Sequence, residues 1–278
     1  MAGMVVNTNM SALTIENILS GTNSSVSSSL TKLSSGLSIN SAADDPAGFA
    51  IANAFKSSIA AMQVASQNAN QATSMLQTAD GAYSQINDIL VQMKSLATEA
   101  ASGQEGKTNL DSLSGEFQDL QSEIDNIAGS TTYGGTALIN GSQGGITFQI
   151  GATNATNNQL MISFTGATTA CLGVSTGVGI DSLASAQAAM TALDNALTSI
   201  NTAMGSVGGL QNQLGYTINN LTTSIQNYTA SASTIEDVDM ASEVSTLTKN
   251  QILQQSAMAM LAQANAQPQN VLKLLQTV

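Results

Sequence analysis

Apolar side chains recur in this chain at alternating steps of three and four, over stretches much longer than any strand, and that spacing fits helices packed lengthwise on other helices. The run Phe55, Ile59, Met62 slips register in an alanine-rich stretch from Ser66 to Ala72, then resumes with Leu76, Ala79, Tyr83, Ile86, Leu90, Met93 and Ala97. At 1.5 Å per residue it predicts a helix of about 75 Å. Leu110, Leu113, Phe117, Leu120, Ile124 and Ile127 form a shorter, unbroken run. A second long run carries Met190, Leu193, Leu197, Ile200, Met204 and Val207, then Leu214, Ile218, Leu221, Ile225, Tyr228, Ala232 and Ile235. The ends are sparser, with Leu19, Val26, Leu30, Leu33 and Leu37 at one and Val244, Leu247, Ile252, Met258, Leu261, Val271, Leu272, Leu274 and Leu275 at the other.

Only residues 130–179 break the helical period. Ile146, Phe148 and Ile150 alternate with polar residues, as do Leu160, Ile162 and Phe164, which predicts a β-hairpin capping a bundle. The fold class is therefore mainly α: a long antiparallel bundle with a small hairpin and a separate coiled-coil arm made of the terminal helices. Two prolines punctuate it. Asp44 and Asp45 before Pro46 fit an N-cap and first turn, so the second helix begins near Asp44. Pro268 is expected to interrupt the last helix.

Composition removes whole classes of function. Histidine, tryptophan and arginine are absent and cysteine occurs once, so most nucleophile–base pairs and transition-metal sites cannot be built, and no cofactor is expected. Six isolated lysines against a net charge of -12 argue against nucleic acid as a partner. No run is apolar enough to span a membrane, and residues 1–9 lack the basic and apolar regions of a cleaved signal peptide. Charged residues are 9% of the chain, whereas Ser, Thr, Asn and Gln number 111, so the polar surface is largely uncharged. Cys171 lies in a Gly- and Thr-rich stretch that suits a small buried side chain.

The two ends have a physical problem. A helix with a narrow seam and few apolar residues offsets little of its conformational entropy when alone. Pairing the arms with each other covers part of each surface, with Gln251 and Gln254 falling near the seam, and the remainder calls for further copies of the same chain. The pattern thus favours a helical rod that polymerises through Leu19, Val26, Leu30, Leu33, Leu37, Val244, Leu247, Met258, Leu261, Val271, Leu272 and Leu275.

Leu33-Ser34-Ser35-Gly36-Leu37-Ser38-Ile39-Asn40-Ser41-Ala42-Ala43-Asp44-Asp45-Pro46-Ala47-Gly48 closely resembles the N-terminal signature of bacterial flagellins, in the short form without hypervariable outer domains. Leu261-Ala262-Gln263-Ala264-Asn265 with Pro268-Gln269-Asn270-Val271-Leu272 is similar to the C-terminal signature, and Ile235-Glu236-Asp237-Val238-Asp239-Met240-Ala241 matches a further segment. The resemblance implies a subunit that polymerises into the flagellar filament for swimming. It implies an inner-tube coiled coil of residues 1–43 and 239–278 and an outer-tube bundle of residues 44–238. It also implies export unfolded through a type III apparatus with a chaperone, assembly under a cap beside hook-associated proteins, and an extracellular location. Where flagellins usually carry arginines, this chain has Lys32, Ser38 and Thr234. Leu90–Ala97 aligns with the patch read by an innate-immune receptor, degenerate here because Gln92 and Ser95, beside Lys94, replace an arginine and a glutamate.

Other motifs weigh less. Ala101–Thr108 fits a loose phosphate-loop pattern but follows a helix, not a strand. Glu236, Asp237 and Asp239 lack the glycine and distal glutamate of a calcium loop, so they read as a charged helix junction. The alternatives are a hook-filament junction protein, which shares the terminal logic, and a secreted helical adhesin, which would not polymerise.

Overall fold

The computed structural model describes residues 8–102, 106–142 and 144–276, of which residues 269–276 by backbone alone. The elements run α1 (Met10–Ser35), α2 (Pro46–Ala100), α3 (Lys107–Ser130), β1 (Thr132–Tyr133), β2 (Thr136–Ala137), β3 (Ile146–Gln149), β4 (Gln159–Ile162), α4 (Thr169–Leu172), α5 (Leu183–Glu236) and α6 (Met240–Gln276). They form two compact units, residues 58–226 and residues 1–57 with 227–278.

In the unit of residues 58–226 the core is a seam shared by α2, α3 and α5. On α2 it runs Ala65, Ala69, Ala72, Leu76, Ala79, Tyr83, Ile86, Leu90, Met93, Ala97 and Ala100, all buried. The slip expected from Ser66 to Ala72 is therefore not there. Alanines carry the seam through it, because a small side chain lets helices approach without changing the spacing. The same correction holds on α5, where buried Ala186, Ala189, Ala196 and Ala203 alternate with Leu193 and Ile200, while Met190, Leu197 and Met204 lie half-buried beside them.

The buried face of α3 carries Phe117, Ile124 and Ala128 together with Ser114 and Gln121. These polar members hold the irregular segment that follows the strands. Gln121 Nε2 donates to the carbonyls of Val174 (2.9 Å), Ser175 (3.2 Å) and Val178 (3.0 Å), and Ser114 Oγ donates to Asp181 Oδ1 (2.6 Å). Asp125 accepts from both the backbone N–H and the hydroxyl of Thr169, at 2.8 Å each. Buried backbone groups need such partners, and α3 supplies them where no ladder does.

The expected hairpin is β3 paired antiparallel with β4, in the register Ile146↔Ile162, Thr147↔Met161, Phe148↔Leu160 and Gln149↔Gln159. Leu160 and Ile162 face the core and Met161 faces out, as period-two alternation requires. A second antiparallel pair, β1 with β2, is too short to leave a hydrophobic alternation in the sequence. Cys171 is exposed, which corrects the expectation that it is buried. It lies on the one-turn helix α4, whose Thr169 and Leu172 take the inward positions and turn the cysteine out.

Tyr83 is fully buried and donates to the Thr165 carbonyl at 2.7 Å, and burial of its ring pushes the phenol up to about 12. Its folded value thus lies above its unfolded one. The linked stability is complete below about pH 10 and is lost as pH rises toward 12, up to about 3 kcal/mol. Tyr83→Phe is expected to remove this alkaline component and to cost about 1 kcal/mol at neutral pH through the lost hydrogen bond. Urea unfolding at pH 7 and pH 11 measures both effects.

In the other unit α1 lies antiparallel to α6. Asn9 Nδ2 donates to the Ala264 carbonyl (2.8 Å) and Gln254 Nε2 to Asn23 Oδ1 (2.6 Å), while Ser38 N–H meets Glu236 O (2.6 Å) and Val238 N–H meets Gly36 O (3.0 Å). Helix α6 runs through Pro268, which corrects the expected interruption. A proline removes the hydrogen bond to the carbonyl four residues earlier. That carbonyl is Ala264, and the Asn9 amide occupies it, so the helix continues with the acceptor satisfied.

Candidate assembly surface

Three junctions set the terminal unit. Helix α1 ends at Gly36, whose φ of 75° is left-handed and whose N–H closes on the Lys32 carbonyl. The turn that follows is held by Asp44 Oδ2, which accepts from the Asn40 N–H (3.1 Å), the Ser41 N–H (2.9 Å) and the Ser41 hydroxyl (3.1 Å). The Ser41 backbone bond first, then its hydroxyl and the Asn40 N–H, hold the Asp44 carboxyl below the usual range. Asp45 then caps α2, accepting from Ala47 N–H at 3.0 Å, so the helix starts at Pro46, beside Asp44 as expected. The two aspartates divide the work, turn and cap. Gly48 follows from this packing, since a methyl group there would lie 2.5 Å from Asp45 Oδ2 and 2.7 Å from Ile39 Cδ1.

Among the described residues Glu236 is the buried charge of this unit. Lys56 Nζ reaches both its oxygens, at 2.7 Å and 2.6 Å, and Phe55 packs edge-on against Tyr228 with ring centroids 5.4 Å apart. These contacts tie the first turns of α2 to the last turns of α5. They place residues 44–57 and 227–238 in the same compact unit as the arms. Asp237 accepts from the Ser233 hydroxyl, and Asp239 caps α6 through the N–H groups of Ala241 (3.0 Å) and Ser242 (3.2 Å). The three carboxylates of this junction are thus turned to three separate tasks. Neither Lys56 nor buried Ser29 was singled out by the sequence pattern, because a pair 180 positions apart and a serine in an apolar seam leave no periodic signal.

Between α1 and α6 the half-buried residues include Ile15, Leu19, Val26 and Leu33 on one side and Leu247, Asn250, Gln254 and Leu261 on the other, with Ala257 and Ser29 buried. Leu37 is half-buried in the turn after α1. Leu30, Val244 and Met258 point away from this seam. With Met10, Leu13, Ile18, Met240, Ile252, Leu253 and Met260 they leave apolar side chains exposed by between 46% and 64%. At 100° per residue, Val244, Ile252 and Leu253 fall on different sides of α6. The side chains of Val271, Leu272 and Leu275 lie outside the described residues.

Elsewhere the surface carries no catalytic grouping among the described residues. A groove of about 770 Å³ beside Met62, Ile150, Asn158, Gly209 and Tyr216 is lined without a carboxylate or an amine. Gln92 and Ser95 are exposed on α2. Gln92 donates to Glu116, and Lys94 is paired with Asp194. Of the phosphate-loop-like stretch, residues 103–105 lie outside the described residues, and Gly106 and Lys107 open α3. No helix among the described residues is long and apolar enough to cross a membrane.

Residues 6–144 match the family model for the bacterial flagellin N-terminal helical region, and residues 190–275 that for the C-terminal helical region. The chain belongs to the bacterial flagellin family. It is 38% identical to a flagellin of Bacillus subtilis over 98% of this chain and 100% of that one. It is 35% identical to a flagellar filament 33 kDa core protein of Treponema phagedenis, with the same coverage. A putative flagellar hook-associated protein from Vibrio parahaemolyticus shares the fold, with a TM-score of 0.59 over 69% of this chain and 99% of that one at 13% identity. As a flagellin, this protein is a structural subunit of the flagellar filament and not an enzyme. The filament that flagellins build lies outside the cell.

Proposed function

We propose that the terminal helices of this flagellin are its polymerisation surface, with residues 1–43 and 239–278 forming an inner tube and residues 44–238 an outer one. The observation that supports this most directly is the distribution of exposed apolar side chains around α1 and α6. One partner helix covers one face, so the remaining faces need several neighbours. Leu19, Val26, Leu33, Leu37, Leu247 and Leu261 hold the two arms together, and Leu30, Val244 and Met258 meet other copies. Alone, the arms gain too little from burial to stay ordered, and neighbouring copies order them. A chain with unfolded ends suits export through a type III apparatus with a chaperone, followed by assembly under a cap beyond the hook-associated proteins.

The patch of Gln92, Lys94 and Ser95 is a degenerate receptor site. Without a guanidinium in the chain, the bidentate hydrogen bonding an arginine gives is lost, and Lys94 is already engaged by Asp194. Electron microscopy of the purified chain tests the assembly reading. Long filaments formed without any other protein are expected; persistent monomers at high concentration would favour an adhesin, and short oligomers a junction protein.

A further inference from the structure

We propose that Asn9 is a positioning residue for assembly, pinning α1 and α6 in one register by supplying the hydrogen bond that Pro268 withholds from Ala264. The inference rests on the reading of the terminal helices as the polymerisation surface. Its physical core is a mismatch between two kinds of information along the α1–α6 seam. The covered positions Glu243, Leu247, Asn250, Gln254, Ala257, Leu261, Ala264 and Pro268 of α6 repeat every three and four residues, with Ala266 half-buried beside them. Sliding α6 by seven residues would place Leu261 where Gln254 was and Ala264 where Ala257 was. Such a seam, with small side chains and few large ones, discriminates weakly between registers. In coiled coils a single polar residue in the seam fixes what apolar packing leaves open.

Here the polar device has two halves. Pro268 leaves the Ala264 carbonyl without its helical partner, on the face turned to α1. Asn9 stands at the N-terminus of α1, its Oδ1 accepting from Ala12 N–H at 3.1 Å and its Nδ2 donating to Ala264 O at 2.8 Å. Both ends of one amide are used, one to begin its own helix and one to complete the other. An alanine at 268 would satisfy Ala264 from within α6, leaving the far ends of the two arms without this contact while the backbone bonds of Ser38 with Glu236 and Val238 with Gly36 hold the near ends. The proline therefore creates an acceptor that only one alignment fills, and the register it selects determines which apolar residues of α1 and α6 stand beside one another on the outer faces. Gln254 with Asn23 adds a second polar contact in the same alignment.

Asn9→Ser keeps a capping oxygen and removes the amide donor without adding charge, and Pro268→Ala restores the missing N–H. The critical concentration for filament formation, read by sedimentation of full-length wild type, N9S, P268A and the double variant, tests the pair. N9S is expected to raise it about fivefold in the wild-type background and to leave it unchanged within twofold in the P268A background. An equal rise in both backgrounds, or no rise in either, would overturn the pin. Leu253→Ser serves as the separate control: if it leaves the critical concentration unaltered, the assembly-surface reading fails, whatever the cycle shows.

Discussion

Changing Val244, Leu253 and Met258 together to serine is expected to leave the core of residues 58–226 folded while raising the critical concentration for filaments about 30- to 10³-fold. Each side chain is about half exposed in the single chain, at 48%, 46% and 49%. Full burial of such a residue contributes about 1.5–3 kcal/mol, so covering the exposed half contributes about half of that per residue. Three such losses sum to roughly 2–4 kcal/mol, at about 1.4 kcal/mol per factor of ten. The same three-serine change at exposed Thr246, Gln251 and Gln255 removes little apolar area and is expected to act less than about threefold. Sedimentation gives the critical concentrations, and circular dichroism of the unassembled protein reports the core. Equal effects from the two triple variants would show that apolar cover of α6 does not drive assembly.

The second large effect concerns Glu236. Its side chain is 5% exposed and it pairs with Lys56, itself 53% exposed. Truncating one member of a buried pair leaves the other charge without compensation, at a cost of about 3–5 kcal/mol when both are enclosed. Because the lysine is half open to water, Lys56→Met is expected to cost less, about 2–3 kcal/mol. Glu236→Leu combined with Lys56→Met removes both charges and is expected to recover most of that loss. Hydrogen exchange across the last turns of α5 in assembled filaments measures the local opening. A single Lys56→Met change that leaves those amides as protected as in the wild type would show that the pair does not hold the junction.

How much was legible in advance follows from which signals are periodic. Helices α2, α3 and α5 could be read from their spacing, since each buries one long face and a helix face repeats every three or four residues. The β3–β4 hairpin was legible from alternation, because Leu160 and Ile162 face the core and Met161 does not. Alanines misled the reading: they carry little hydrophobic weight in a sequence, yet Ala69, Ala72, Ala189 and Ala196 are fully buried. Composition alone sufficed for the absence of histidine chemistry, and the two terminal signatures for the family.

Contacts between distant residues were decided only in three dimensions. Pro268 reads locally as a helix breaker, and it is tolerated because Asn9, 255 positions away, fills the carbonyl it vacates. Glu236 reads as one carboxylate in an acidic junction, and it is buried because Lys56 reaches it. Cys171 reads as a small buried residue, and it is exposed because Thr169 and Leu172 take the inward side of a single turn. The sequence by itself determined the long helices, the hairpin and the apolar ends, since each is a local repeat of side-chain chemistry. Tertiary structure decided the register of the arms and the fate of individual polar groups, since a hydrogen bond or ion pair is a property of two positions and no local pattern contains both.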